Sequence, residues 1–142
     1  MGRFRFLQHT ADGLVEVVAD DERDLLSTSA KAMFALMVNI ADIERNVSRD
    51  ICAEGGDLQE LLMNFIKELI FLYSIKNELY SDFNIEMIEK ENKIIVNAVC
   101  YGESIDPEKH TLGGEVKMLT YHNYKVERMK DGRLKAILLF DM

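Results

Sequence analysis

The stretch GGDLQELLMNFIKELIFLYSIKN, residues 55–77, constrains the fold most, because its two ends and its buried face can all be read from residue types. In DLQE, the Asp57 carboxylate can accept the third helical amide while Glu60 reaches back over the first turn, the reciprocal arrangement of a capping box. Leu58, Leu61, Leu62, Phe65, Ile66, Leu69 and Tyr73 then recur at intervals of three and four, forming one continuous apolar face. Asn77 is the expected stop, since asparagine tolerates the left-handed backbone on which helices often finish. A helix with so long an apolar face must bury it against another layer.

The rest of the chain supplies that layer. One more helical period is present, opened by Asp20 or Asp21 and carried by Leu25, Leu26, Ala30, Met33, Phe34 and Met37, with an end near Val38. Elsewhere the period is two. Phe4 and Phe6 alternate with Arg3 and Arg5, and Val15 and Val17 alternate with Glu16 and Val18, so two short strands flank the segment HTAD. From residue 47 to 54, Val47, Ile51 and Ala53 face one way and Ser48, Asp50 and Glu54 the other. FNIEMIEKENKIIVNAVCY reads as a hairpin turning near residues 90–92, and EVKMLTYHNYKVERM with LKAILLFDM as a second hairpin, joined by the turn pair Asp131-Gly132. Between the hairpins lies GESIDPEKHTLGG, which holds the only proline, Pro107. Two amphipathic helices among about seven strands, most of them in hairpins, predict an α+β fold with the helices packed on a mainly antiparallel sheet. At 142 residues, the span 1–142 is expected to form a single domain.

Charge narrows the function. The net charge is −8 with acidic residues spread along the chain, so direct nucleic-acid binding is not expected; solubility, cation binding or docking on a basic partner fit better. Cys52 and Cys100, without metal-ligand spacing, read as small buried hydrophobes in a reducing compartment. No segment approaches the roughly 18 consecutive apolar residues of a membrane span, and a cytoplasmic location is expected.

No GxxxxGK, GxGxxG, HExxH or GxSxG motif is present, so nucleotide cradle, zinc site and nucleophile elbow all lack their usual signals. Of the three histidines, His110 in the acidic loop reads as solvated and His122 as a half-buried sheet residue, while His9 sits in the HTAD segment. The carboxylates say more. Asp12 lies between two strands, where an Asx-turn is the ordinary role. Asp141 is penultimate, after Phe140. Were the two ends to meet at one sheet edge, Asp12, Asp141 and the carboxyl group of Met142 would gather oxygen ligands suited to a hard divalent cation, Ca²⁺ or Mg²⁺. By alternation, Lys117 shares a strand face with Glu115, Leu119 and Tyr121.

Taken in order, HTAD, GDLQELLMNFIKELIFLY, GESIDPEKH, EVKMLTYH and the terminal FDM resemble the archease family across essentially the whole chain. The resemblance implies a non-enzymatic activator of the RtcB-type tRNA-splicing ligase, which joins RNA ends through a covalent guanylate formed from GTP. It implies promotion of guanylylation, support of repeated turnover, and a broader choice of nucleoside triphosphate. An alternative role proposed for the family is a chaperone or modulator of a tRNA methyltransferase or another RNA-processing enzyme. Carried onto this chain, the family's cation ligands are Asp12, Asp141 and Met142, the lysine that activates the ligase is Lys117, and His9 shapes the loop. Two positions depart from the pattern: Gln8 replaces a commonly acidic residue before HTAD, and Met118 and Leu119 replace a small pair after the lysine.

Overall fold

The helix that opens at the capping box runs from Leu58 to Lys76 and is the longest in the chain, which is described by a computed structural model over residues 1–7 and 13–142. Asp57 Oδ1 accepts the Glu60 amide at 2.8 Å, and Glu60 Oε1 accepts the amide of Gly56, one residue before the cap, also at 2.8 Å. Asn77 ends the helix with φ 54° and ψ 45°, in the left-handed region. We call this helix α2. The first helix, α1, spans Glu22–Met37; Asp21 caps it through the Asp24 amide, and Val38 closes it.

Among the described residues, seven strands accompany the helices: β1 (Arg3–Phe6), β2 (Gly13–Ala19), β3 (Val47–Gly55), β4 (Glu78–Lys90), β5 (Lys93–Ser104), β6 (Met118–Arg128) and β7 (Leu134–Asp141). All of their pairings are antiparallel. The result is the expected α+β fold, with the strands divided between a four-stranded sheet, in the order β1-β2-β7-β6, and a three-stranded sheet, β3-β5-β4. Each helix touches both: α1 packs on β2 and β4, and α2 on β3 and β6. That bridging makes one core from two sheets. Val15, Val17 and Ala19 of β2 alternate inward with Ala136, Leu138 and Phe140 of β7, and Phe34 of α1 meets Tyr73, Tyr80 and Phe83.

The hairpin turns fall where their residues predict. Lys90 pairs with Lys93 around a two-residue turn with Asn92 at φ 63°, and Gly132 takes φ 93° between β6 and β7. Two boundaries differ. β4 begins at Glu78, directly after α2, because Leu79 and Tyr80 are drawn into the core ahead of the periodic run at Phe83. The two cysteines also part company. Cys100 is buried in β5, and burial pushes its thiol up to about 12, whereas Cys52 is exposed. The cause is β3's own alternation: Ile51 and Ala53 face the core, so Cys52 falls on the outer side with Asp50 and Glu54.

Candidate functional site

Three strand ends meet at one end of the four-stranded sheet. Gly13, which opens β2, pairs with Phe140, and Asp141, which closes β7, pairs with Met118, the first residue of β6. Just ahead of β6, the Lys117 amide donates to the Asp141 carbonyl at 2.8 Å. Lys117 and Asp141, far apart in sequence, are thereby neighbours. Asp141 and Met142 are both half-buried, and the Met142 side chain packs beside Gly13 and Gly114. His9 and Asp12 fall outside the described residues, between Leu7 and Gly13; Leu7 donates its amide to Leu14 at 2.9 Å. Among the described residues no group of three or more His, Cys, Asp or Glu side chains is arranged to hold a metal ion.

The segment leading to Lys117 is held at several points. Asp106 accepts the amides of Lys109 and His110 through its carbonyl, and that of Glu108 through its side chain, which winds DPEKH into a compact turn. Gly113 then donates to the Met37 carbonyl at the end of α1, at 2.8 Å. His110 was expected to be solvated, yet it is only 3% exposed. Its Nδ1 accepts the Asp106 amide at 2.9 Å, which leaves Nε2 to donate to Glu103 at 2.9 Å. A buried imidazole satisfied on both nitrogens is a clasp for the turn. Sequence spacing missed it because β5 runs on to Ser104, into the stretch read as loop, and so carries Glu103 to a buried position.

Glu103 is the centre of that clasp. It also accepts the Glu44 amide at 2.9 Å and meets Lys109 Nζ at 2.8 Å, while Lys109 reaches Glu44 at 3.0 Å. Burial raises the Glu103 carboxyl, but Lys109, the Glu44 amide and His110 outweigh it and hold it at about 2. With a folded value below the ordinary 4.5, the contribution of this group to stability is complete above about pH 4.5 and is lost as pH falls toward 2. Glu103→Gln is therefore expected to lower the urea midpoint at pH 7, with the gap from the parent protein closing progressively between pH 4.5 and 2.5. A gap unchanged across that range would contradict the assignment.

Lys117 is exposed at the rim of a groove of about 580 Å³ between α2 and residues 115–119. Glu115 does not pair with it in this arrangement; the Glu115 carboxylate accepts the Tyr73 hydroxyl at 2.7 Å. Burial, and then this carboxylate, push the Tyr73 phenol well above its ordinary value. The shared strand face expected for Lys117, Leu119 and Tyr121 also breaks down: Leu119 is buried while Tyr121 is exposed. The reason is an irregularity in β6. Thr120 pairs with Leu139 and Lys125 with Ile137, so four residues of β6 stand where β7 has only Leu138, and Asn123 takes φ 58°. The same excursion exposes His122, which alternation had placed half in the sheet.

Two helices bridging two antiparallel sheets, with Lys117 and Asp141 tied together at one sheet end, define a small α+β protein. The chain belongs to the archease family: the profile of the Archease protein family matches residues 4–142. It is 39% identical over 142 residues to Protein archease of Pyrococcus furiosus, covering all of both chains. It is 43% identical over 136 residues to Protein archease of Methanopyrus kandleri, covering 96% of each. The solution structure of Methanobacterium thermoautotrophicum protein 1598 is 28% identical and superposes with a TM-score of 0.86 over 98% of each chain. As a member of this family the chain is a non-catalytic accessory protein.

Proposed function

We propose that this protein activates an RtcB-type tRNA-splicing ligase, promoting guanylylation of the ligase by GTP, sustaining its multiple turnover in RNA ligation and broadening the nucleoside triphosphates it accepts. Family membership supports the coarser part, a non-enzymatic role linked to that ligase. The observation that carries the finer part is the bond from the Lys117 amide to the Asp141 carbonyl, which sets an ammonium-bearing residue beside a carboxylate-bearing one at a single sheet end. Gly13, the residue after Asp12, enters the sheet at this same end opposite Phe140.

In this reading Asp12, Asp141 and Met142 hold a divalent cation, Ca²⁺ or Mg²⁺, because hard cations select oxygen ligands such as the two aspartate carboxylates. Such a cation, when bound, supplies positive charge able to meet phosphoryl oxygens. His9 shapes the loop, and Lys117 faces the ligase. The net charge of −8 suits a partner that is basic around its RNA channel, and direct RNA contact by this chain is not required. We read residues 1–142 as one domain acting in the cytoplasm; no helix among the described residues is long and apolar enough to cross a membrane.

The test is to incubate a cognate ligase with GTP and quantify covalent ligase–GMP with and without this protein. Stimulation that is lost on Lys117→Ala, with an unchanged melting curve, is the expected result. No stimulation would overturn the proposal, and if the protein instead kept a tRNA methyltransferase from aggregating, the chaperone role would replace it.

A further inference from the structure

α2 carries more apolar surface than the core consumes. Beside its buried face, Phe71 and Ile75 stand 61% and 59% exposed, and across the groove Met118 and Tyr121 are 49% and 68% exposed. Residues 67, 71 and 75 follow one another at intervals of four, so they form a single stripe along the helix. Tyr121 joins the stripe at its first position: Lys67 Nζ lies 3.3 Å from the Tyr121 hydroxyl and 5.3 Å from the centre of its ring. The groove between stripe and strand is floored by Ile70 and Val116 and walled by Phe71 and Met118. Contiguous exposed apolar area of this kind, rimmed by polar groups, marks an interaction surface, whereas scattered hydrophobes need no explanation.

Charge and position indicate the occupant. In a chain of net charge −8, two lysines, Lys67 and Lys117, border this groove, and the one carboxylate lining it among the described residues, Glu115, is engaged by the Tyr73 hydroxyl. A fitting partner therefore offers an apolar anchor flanked by carboxylates. The groove also begins at Lys117, whose amide is bound to Asp141, so it continues directly from the sheet end assigned above to ligase activation. A second copy of this chain seated in the groove would cover Lys117 and compete with that role.

We infer that the groove between α2 and residues 115–119 docks an acidic-flanked apolar segment of the ligase, holding the Lys117–Asp141 end against the ligase active site. This rests on the proposed function, and it separates two tasks: the groove supplies affinity, the sheet end supplies activation. The experiment uses the full chain carrying Phe71→Asp and Met118→Asp, both at exposed positions, in two measurements against the cognate ligase. Calorimetric titration should show binding weakened about tenfold or more, as for loss of central interface anchors. In the guanylylation assay, the concentration giving half-maximal stimulation should rise by a similar factor while the plateau stays the same. Unchanged affinity, or a lowered plateau at unchanged half-maximal concentration, would overturn the inference. So would sedimentation of the parent protein as a dimer that the double substitution splits, since the occupant would then be a second copy. If the parent protein binds through the groove yet stimulates nothing, only the activation reading falls; if it does not bind, both fall.

Discussion

Replacing Asp141 with alanine is expected to cut stimulated ligase–GMP formation by at least the roughly 10- to 100-fold that loss of a residue supporting a metal ligand typically costs, because here the proposed ligand itself is removed, while the thermal midpoint moves little. The two effects separate because only the Asp141 side chain is the proposed ligand, whereas its backbone holds the sheet end. Its backbone carbonyl holds the Lys117 amide and its Cα pairs with Met118, and alanine preserves both. Only the half-buried carboxylate is removed. Asp141→Asn sharpens the point by keeping the shape and removing the charge, so it is expected to behave as alanine does if cation binding is the role. Full stimulation by either variant, measured as covalent ligase–GMP at saturating protein, would rule out the carboxylate as a ligand.

The largest effect on stability is expected at Gly102, near the end of β5, the central strand of its sheet. A Cβ there would lie 1.8 Å from the Leu79 carbonyl oxygen and 2.7 Å from Tyr80 Cα, and backbone cannot yield as a flexible side chain can. Gly102 is flanked by Val47 on β3 and Tyr80 on β4, at the point where β4 slips register between Tyr80 and Asp82. Its carbonyl also accepts the Asn46 amide at 2.8 Å. Gly102→Ala therefore has to push β4 away from β5 beside the fully buried Tyr80, costing about 3 kcal/mol, at the upper end of overpacking costs. For a chain of this length that corresponds to a fall of about 10 °C in Tm. A scanning-calorimetry midpoint within about 2 °C of the parent protein would show that the sheet relaxes without this loss.

The sequence made the helices legible because their signals are local. Asp21, Asp57 and Asn77 each act on backbone within one turn, and all three stand where side-chain chemistry places them. Hairpins were legible for the same reason. What could not be read is which apolar face meets which. Period two reports that Val15 and Ile51 are both turned inward, but not that they belong to different sheets bridged by α1 and α2. Nor does it register an irregularity: the added residues of β6 part Tyr121 from the face of Leu119 and expose His122, which was expected to be half-buried.

Among the candidate residues, Asp141 could be nominated from its carboxylate and position and Lys117 only through the family resemblance; their meeting follows from the β6–β7 pairing. His110 was misread because the partner that buries it, Glu103, lies on the preceding strand, and a composition-based reading of GESIDPEKH sees only an acidic loop. The groove is illegible in the sequence for a different reason. Phe71 and Ile75 sit four apart on α2 outside the face assigned to the core, a second stripe that was visible in the sequence but cannot be told from burial without the strand opposite it. Cys52 could have been placed correctly, since the alternation that put Asp50 and Glu54 outside applies equally to the residue between them.

The most direct measurement is the number of RNA joins made per ligase molecule with GTP, with this protein present in less than equimolar amount. If this protein activates the ligase, the ligase alone stalls near a single round, the added protein carries it through many, and covalent ligase–GMP rises in parallel. Equal yields of joined RNA with and without the protein, at a concentration shown by calorimetry to saturate the ligase, would contradict it.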